Sequence, residues 1–77
     1  MDTFRDVIKA WPGTSAETLA DDIGEKPATV RQWGLRDSIP ADRWEAIIDM
    51  ARRRRIKGIT AQLFIRLAAR RNGNQAA

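Results

Sequence analysis

The chain has 77 residues, with 14 lysine and arginine and 10 aspartate and glutamate side chains, which give a net charge of +4. It contains no cysteine and no histidine, so a disulfide framework, a thiolate zinc site and histidine-based catalysis are excluded. We expect one small domain without cofactor or metal, and no apolar run is long enough for a membrane span.

The first predicted helix covers about residues 3–11. One apolar stripe at the spacing i, i+3, i+4 and i+7 marks its buried side: Phe4, Val7, Ile8 and Trp11. Asp2 or Thr3 can cap its start, and the Pro-Gly pair at 12–13 ends it. Because acids lie within this helix, it resembles neither a secretory signal nor a membrane-surface helix, and a cytoplasmic location is expected.

The second predicted helix begins at Thr14 or Ser15, which are both N-cap residue types. Glu17 follows Thr14 by three residues, which is the spacing of a capping box. The helix then repeats apolar residues at helical spacing: Leu19, Ala20 and Ile23. Gly24 is expected to end it, because glycine adopts the left-handed conformation at little cost.

The third predicted helix begins at Pro27, since proline suits a first turn, and ends at Gly34. Val30 and Trp33 form its buried side. Its exposed positions are expected to be Lys26, Ala28, Thr29, Arg31 and Gln32, with Arg36 just beyond. Residues 26–36 carry three basic and no acidic side chains, although all ten acids of the chain lie within residues 2–49. The exposed side of this helix is therefore expected to be positive.

The fourth predicted helix covers about residues 40–56, with Pro40 at its first helical position. Its buried side comprises Trp44, Ile47, Ile48, Ala51 and Ile56. Ser38 precedes it and either caps the helix or meets a phosphate. The arginines at 52–55 follow acids at the start of the helix, an order that the helix dipole favours. A nucleic-acid contact is the alternative reason for this run, although four successive positions point in all directions.

The fifth predicted helix follows a break at residues 57–58, is capped by Thr60 and covers about residues 61–71. Leu63, Phe64 and Leu67 can pack on the core. A second apolar side indicates either a homodimer contact or burial within the same monomer: Ala61, Ile65, Ala68 and Ala69. Residues 50–77 carry eight basic and no acidic side chains, which suits a polyanionic partner.

Residues 16–35, AETLADDIGEKPATVRQWGL, resemble the twenty-residue helix-turn-helix motif of the phage Cro and repressor family. The resemblance rests on a small residue at the fifth place, glycine at the ninth, and apolar residues at the fourth, eighth, fifteenth and eighteenth. The matching residues are Ala20, Gly24, Leu19, Ile23, Val30 and Trp33. Glu25 departs from the pattern, because the residue after the glycine is usually apolar. Residues 33–44, WGLRDSIPADRW, also resemble the segment that leads into the next helix of small Cro-type regulators.

This resemblance implies an all-α, compact five-helix domain over residues 1–72, with the motif as its second and third helices and a disordered tail at 73–77. It also implies that the third helix enters the major groove of double-stranded DNA. Arginine can contact guanine, glutamine can contact adenine, and a threonine or alanine methyl can meet the thymine methyl. The base-reading candidates are Lys26, Ala28, Thr29, Arg31, Gln32 and Arg36. The candidates for the DNA backbone are Thr18, Ser38, Arg54 and Arg55.

Two functions remain open from the sequence. The first is a sequence-specific transcription regulator of bacterial or phage origin, preferably a repressor, whose homodimer reads half-sites about 34 Å apart. The second is a protein-interaction module or antitoxin-type regulator; a solvated polar face on the third helix would suit it. No small-molecule ligand is indicated. RNA binding and enzymatic activity are disfavoured, because no RNA-stacking platform, phosphate-binding glycine loop or nucleophile–base pair is visible. The three tryptophans fall on apolar stripes, so core packing is expected rather than base stacking.

Overall fold

The computed structural model describes the backbone of residues 1–76 and the side chains of residues 1–70. This part of the chain is all-α, as expected. Its helices are α1 (Phe4–Lys9), α2 (Ser15–Ile23), α3 (Pro27–Arg36), a 3-10 helix (Ala41–Arg43), α4 (Trp44–Arg53) and α5 (Ala61–Ala76). None of the helices within residues 1–76 combines the length and the apolarity that crossing a membrane requires.

All five α-helices share one apolar core, and the apolar stripes of the sequence supply most of it. The buried side chains are Phe4, Val7, Ile8, Trp11, Leu19, Ala20, Val30, Trp33, Ile39, Ile47, Ala51, Ile59, Leu63, Phe64 and Leu67. Trp44 is half-buried against this core, where its ring stacks on Phe64 with 5.3 Å between the ring centroids. The prediction that the tryptophans serve the core is therefore confirmed. Ile39 and Ile59 lie outside the helices, so periodicity did not indicate them.

The prediction of a capping box at Thr14 is wrong. The Thr14 side chain makes no capping hydrogen bond, and its φ of −80° and ψ of 88° depart from the extended backbone of an N-cap residue. A capping box lies instead at the start of α1. There the Thr3 hydroxyl accepts the Asp6 N–H at 3.0 Å, and the Asp6 carboxylate accepts the Thr3 N–H at 3.2 Å. A further bond from the Asp2 N–H lowers the pKa of Asp6 from its ordinary value.

Three helices end in the same left-handed arrangement: α2 at Gly24, α3 at Asp37 and α4 at Arg55. In each case the N–H of the next residue donates to the carbonyl five positions before it, at 2.8 to 3.0 Å. The prediction for Gly24 is confirmed, with φ of 72°. The other two helices use a residue with a side chain where glycine is usual, so neither end was visible in the sequence.

The predicted bounds of α3, α4 and α5 also need correction. α3 continues to Arg36, so Gly34 lies inside it and does not close it. Pro40 is not a first helical residue, because its ψ of 138° is extended and a 3-10 turn comes before α4. α4 ends at Arg53 rather than near residue 56, since the left-handed Arg55 turns the chain. α5 runs to Ala76. The side chains of the predicted tail at 73–77 lie outside the described residues, as does all of Ala77, and the predicted disorder of this segment stays a prediction.

The two glycines of the motif are expected to respond oppositely to alanine. Gly34→Ala should raise the free energy of unfolding by about 0.5–1 kcal/mol, because glycine is a poor residue inside a helix. The new methyl group would meet Ile8 Cδ1 at an ordinary contact distance of 3.7 Å. Gly24→Ala should lower the free energy of unfolding by about 1–2 kcal/mol, because a positive φ strains an L residue. Urea denaturation of both variants measures these changes, and a loss in both would contradict the helical placement of Gly34.

Candidate nucleic-acid interface

The turn between α2 and α3 fixes the buried side of α3. Gly24 supplies the left-handed turn, and Ala20 is completely buried on α2. Val30 and Trp33 are buried on α3. A small residue at position 20 lets two helices approach closely, and the two large apolar residues pack α3 onto the core. These four residues lie where the motif spacing predicted, so the opposite side of α3 faces outward.

The outward side of α3 presents most of the predicted base-reading residues together. The exposed ones are Lys26, Ala28, Arg31, Gln32 and Arg36. Thr29 is only half-buried rather than fully exposed, so its prediction as a solvent-facing residue is corrected in part. Leu35 was not a predicted site residue, yet 75% of it is exposed.

An acid from α2 also lies at this surface. The sequence predicted a positive surface because residues 26–36 contain no acid, and it did not indicate this contribution from another helix. Glu17 Oε1 lies 3.7 Å from Arg31 Nη1, and the two side chains are 57% and 55% exposed. Glu17 lies in the first turn of α2, 14 positions before Arg31. Only the folded turn between the helices brings these two charges together.

Glu25, the departure from the motif pattern, is held by a partner elsewhere in the fold. One of its carboxylate oxygens lies 3.3 Å from Arg43 Nη2, and only 18% of its side chain is exposed. The other oxygen accepts the N–H of Lys26 at 3.1 Å, at the start of α3. This acid therefore joins the beginning of α3 to the 3-10 helix.

The far end of α3 is tied to the beginning of α1 by two hydrogen bonds. Asp37 Oδ1 accepts the backbone N–H of Arg5 at 3.1 Å, which satisfies a free donor in the first turn of α1. Arg5 Nε in turn donates to the carbonyl of Gly34 at 3.0 Å. We call Arg5, Asp37 and the Gly34 carbonyl the α1–α3 clamp. Both ends of α3 are therefore fixed by named contacts.

Arg54, one of the predicted DNA-backbone residues, binds an acid of the same chain. Its guanidinium binds the Asp22 carboxylate with two hydrogen bonds, of which Nη2 to Oδ1 is 2.9 Å long. The same carboxylate accepts Trp11 Nε1 at 2.8 Å, and only 9% of the Asp22 side chain is exposed. The bonds from Arg54, aided by the one from Trp11, lower the pKa of Asp22 from its ordinary value. Arg54 thus joins the end of α4 to α2, and its contact with the DNA backbone stays a prediction.

The other three DNA-backbone candidates differ in how they are placed. Thr18 is half-buried, and its hydroxyl donates to the carbonyl of Thr14 at 3.2 Å. Ser38 is half-buried in the turn after α3. Arg55 is exposed. Within the arginine run, Arg53 lies 3.1 Å from Asp49, so at least two of its four members bind acids of the same chain.

The two apolar sides of α5 have different environments. Leu63, Phe64 and Leu67 are buried, as predicted, and the Thr60 hydroxyl accepts the N–H of Leu63 at 3.2 Å, which confirms the predicted cap. On the second side, Ala61, Ile65 and Ala69 are exposed and Ala68 is half-buried. Ile65 is 61% exposed. The prediction of burial within the monomer is therefore wrong for Ala61, Ile65 and Ala69, whereas Ala68 is partly buried against the core, and the homodimer stays a prediction.

A shallow groove of about 390 Å³ runs beside α3, between it and the α1–α2 region. Its apolar lining includes Ile8, Ala16 and Val30, with Leu35 and Arg31 also in contact with it. Among the described residues, no three acidic side chains converge as a metal site would require.

Comparison of the chain with protein-family models, with curated proteins and with solved structures gave no match. The exposed side of α3 therefore supplies the chemistry from which a function can be inferred.

Proposed function

We propose that this protein is a sequence-specific double-stranded DNA-binding transcription regulator, acting as a repressor, that reads the major groove with α3. One observation carries the proposal: Arg31 and Gln32 stand exposed and adjacent on a helix whose opposite side is locked into the core. Arginine and glutamine are the side chains that make paired hydrogen bonds to guanine and adenine. The major groove is about 12 Å wide and admits an α-helix.

The beginning of α3 suits contact with the base edges. In helix-turn-helix complexes the N-terminal residues of the reading helix approach the bases. Here Lys26 and Ala28 are exposed at that end, and Ala28 offers a methyl group for the thymine methyl. Glu25, the acid directly before this end, is largely covered and paired with Arg43.

Phosphate contacts supply affinity without sequence information. Arg55 is an exposed cation that we assign to this role, and we propose that the exposed Lys26 and Arg36, which are predicted to read bases, contact phosphates as well. Each phosphate neutralised contributes about 0.9 to the slope of log affinity against log salt. Binding should therefore weaken steeply as salt is raised.

We further propose that two copies bind through the exposed side of α5. The exposed Ile65 among small alanine residues provides a surface on which another helix can pack closely. In a dimer with a two-fold axis, each copy would contribute this same surface. Such a dimer would read two half-sites about 34 Å apart, one turn of DNA.

Selection of bound sites from a random duplex library at physiological salt tests this function. A palindromic consensus with half-sites about one helical turn apart would support both DNA reading and the dimer. Absence of any enriched sequence would reject the proposal. The second candidate function, a protein-interaction module, would then be favoured by the apolar groove beside α3 and by the 75% exposure of Leu35.

Arg31→Ala is expected to weaken binding to the selected site by roughly 1–3 kcal/mol and to relax the preference at one base pair. The matched control is Arg53→Ala, which removes a similarly exposed arginine from an ion pair on α4. Fluorescence anisotropy titration on selected and scrambled duplexes measures both. An equal loss on all sequences would show that Arg31 contacts phosphate alone.

A further inference from the structure

The ion pair between Glu17 and Arg31 lies on the surface proposed to meet DNA, where an acid is unexpected. Each side chain is more than half exposed, and their charged atoms are 3.7 Å apart. Such exposed pairs contribute about 0–1 kcal/mol to folding. The pair itself therefore adds little to stability, and its position beside the main base-reading candidate suits a role in recognition.

The geometry of the pair leaves much of the guanidinium available. Glu17 faces Nη1 at an ion-pair distance, and within the described part of the chain Arg31 makes no hydrogen bond and no second ion pair. The guanidinium is a planar fork with five donors. Its edge formed by Nε and Nη2 can still offer two parallel hydrogen bonds, which is the arrangement that binds guanine O6 and N7.

We propose that Glu17 is a positioning residue that determines specificity: it holds the Arg31 guanidinium so that the Nε–Nη2 edge meets a guanine. This inference rests on the proposed function. In the specific complex the pair is retained, and the loss of water around it strengthens the electrostatic attraction between the two charges.

Nonspecific DNA presents a different situation, because binding there is driven almost entirely by phosphates. Whichever donors Arg31 offers to a phosphate, the Glu17 carboxylate then lies close to a negatively charged backbone and repels it. Glu17 should therefore strengthen binding to the correct site and weaken binding to other sequences. A general change of surface charge would instead move both affinities in the same direction.

The experiment compares Glu17→Gln with a matched control, Asp49→Asn. Asp49 also lies in an exposed ion pair, 3.1 Å from Arg53 on α4, so the control removes the same charge from a similar setting. Both variants and the unmodified protein are titrated with the selected duplex and with a scrambled duplex of equal length. Circular dichroism melting establishes that each variant is folded.

We expect Glu17→Gln to bind the selected duplex more weakly and the scrambled duplex more tightly, each by a factor of about 2–5, the equivalent of one exposed ion pair. Asp49→Asn should change both affinities in the same direction and by a similar factor. In site selection, Glu17→Gln should relax the same base pair as Arg31→Ala. In the Arg31→Ala background, Glu17→Gln should no longer weaken binding to the selected duplex.

Two results would overturn the inference. If Glu17→Gln raises both affinities equally, Glu17 is only a repulsive charge. If it changes neither affinity, the pair plays no part in recognition. Failure of the proposed function itself is separate from both, because the unmodified protein would then not distinguish the duplexes or enrich any site.

Discussion

Ile65→Asp is expected to lower affinity for a palindromic site by about 100-fold or more, while each monomer stays folded. Linking two reading surfaces in one dimer raises affinity over a single surface by about 10² to 10⁴. Ile65 is 61% exposed, so an aspartate there disturbs no core packing. Across a two-fold axis it would place two like charges together in a desolvated contact, which opposes dimerisation. Titration of the selected duplex, with sedimentation equilibrium, measures the loss.

The matched control is Ala46→Asp, which adds the same charge to an exposed position of α4, a helix that the proposed contact does not include. It should leave the affinity and the sedimentation profile nearly unchanged. A monomer at every concentration, free and on DNA, would remove the homodimer from the proposal. Undiminished binding by Ile65→Asp would show that the exposed side of α5 does not carry the contact.

Asp22→Ala is expected to lower the free energy of unfolding by about 2–3 kcal/mol, because the hydrogen bonds that it removes involve charged groups. Both Trp11 Nε1 and the Arg54 guanidinium lose their acceptor. With a total stability of about 5–15 kcal/mol, such a loss is large for a chain of this length. The melting midpoint should fall by about 10 °C or more.

The stability that Asp22 contributes should decrease when the pH is lowered. Its pKa in the folded protein lies below the ordinary value of 3.8, which the unfolded chain should show. The carboxylate form is therefore favoured by folding, and its contribution is fully present above that ordinary value. It is lost as pH falls through the lowered pKa. The difference in stability between the unmodified protein and Asp22→Ala should shrink on acidification below about pH 4.

The neighbouring acid provides the control for this prediction. Asp21 is exposed on α2, so Asp21→Ala removes an equal charge without the bonds to Trp11 and Arg54. Its effect on stability should be within about 0.5 kcal/mol. Thermal melts of both variants from neutral to acidic pH give the comparison. Equal destabilisation by both variants would contradict the role assigned to the Asp22 carboxylate.

Short-range patterns in the sequence predicted the helices and much of the core correctly. The stripe of α1, the left-handed Gly24, the Thr60 cap and the buried side of α5 each depend on residues within about one or two turns of one another. Such features follow from helical periodicity and from local backbone preferences. The placement of the exposed side of α3 could be predicted for the same reason, since its buried residues define the opposite side.

The contacts that complete the candidate interface could not be predicted, because they join distant parts of the chain. Asp37 reaches Arg5 over 32 positions, and Glu17 reaches Arg31 over 14. No local pattern distinguishes an acid that will find such a partner from one that remains solvated. The helix ends at Asp37 and Arg55 were missed for a different reason. A left-handed residue with a side chain leaves no signal in composition, whereas a glycine does.

The α1–α3 clamp, together with the anchored start of α3, has a thermodynamic consequence for any partner that meets this helix. Because the helix is preorganised at both ends, association should require little backbone ordering, and the corresponding entropic penalty should be small. Calorimetry should then record a heat-capacity change that surface burial alone explains, without the excess that accompanies coupled folding. Asp37→Ala removes the hydrogen bond to the Arg5 N–H, and DNA binding by this variant should show the additional heat-capacity change of coupled folding.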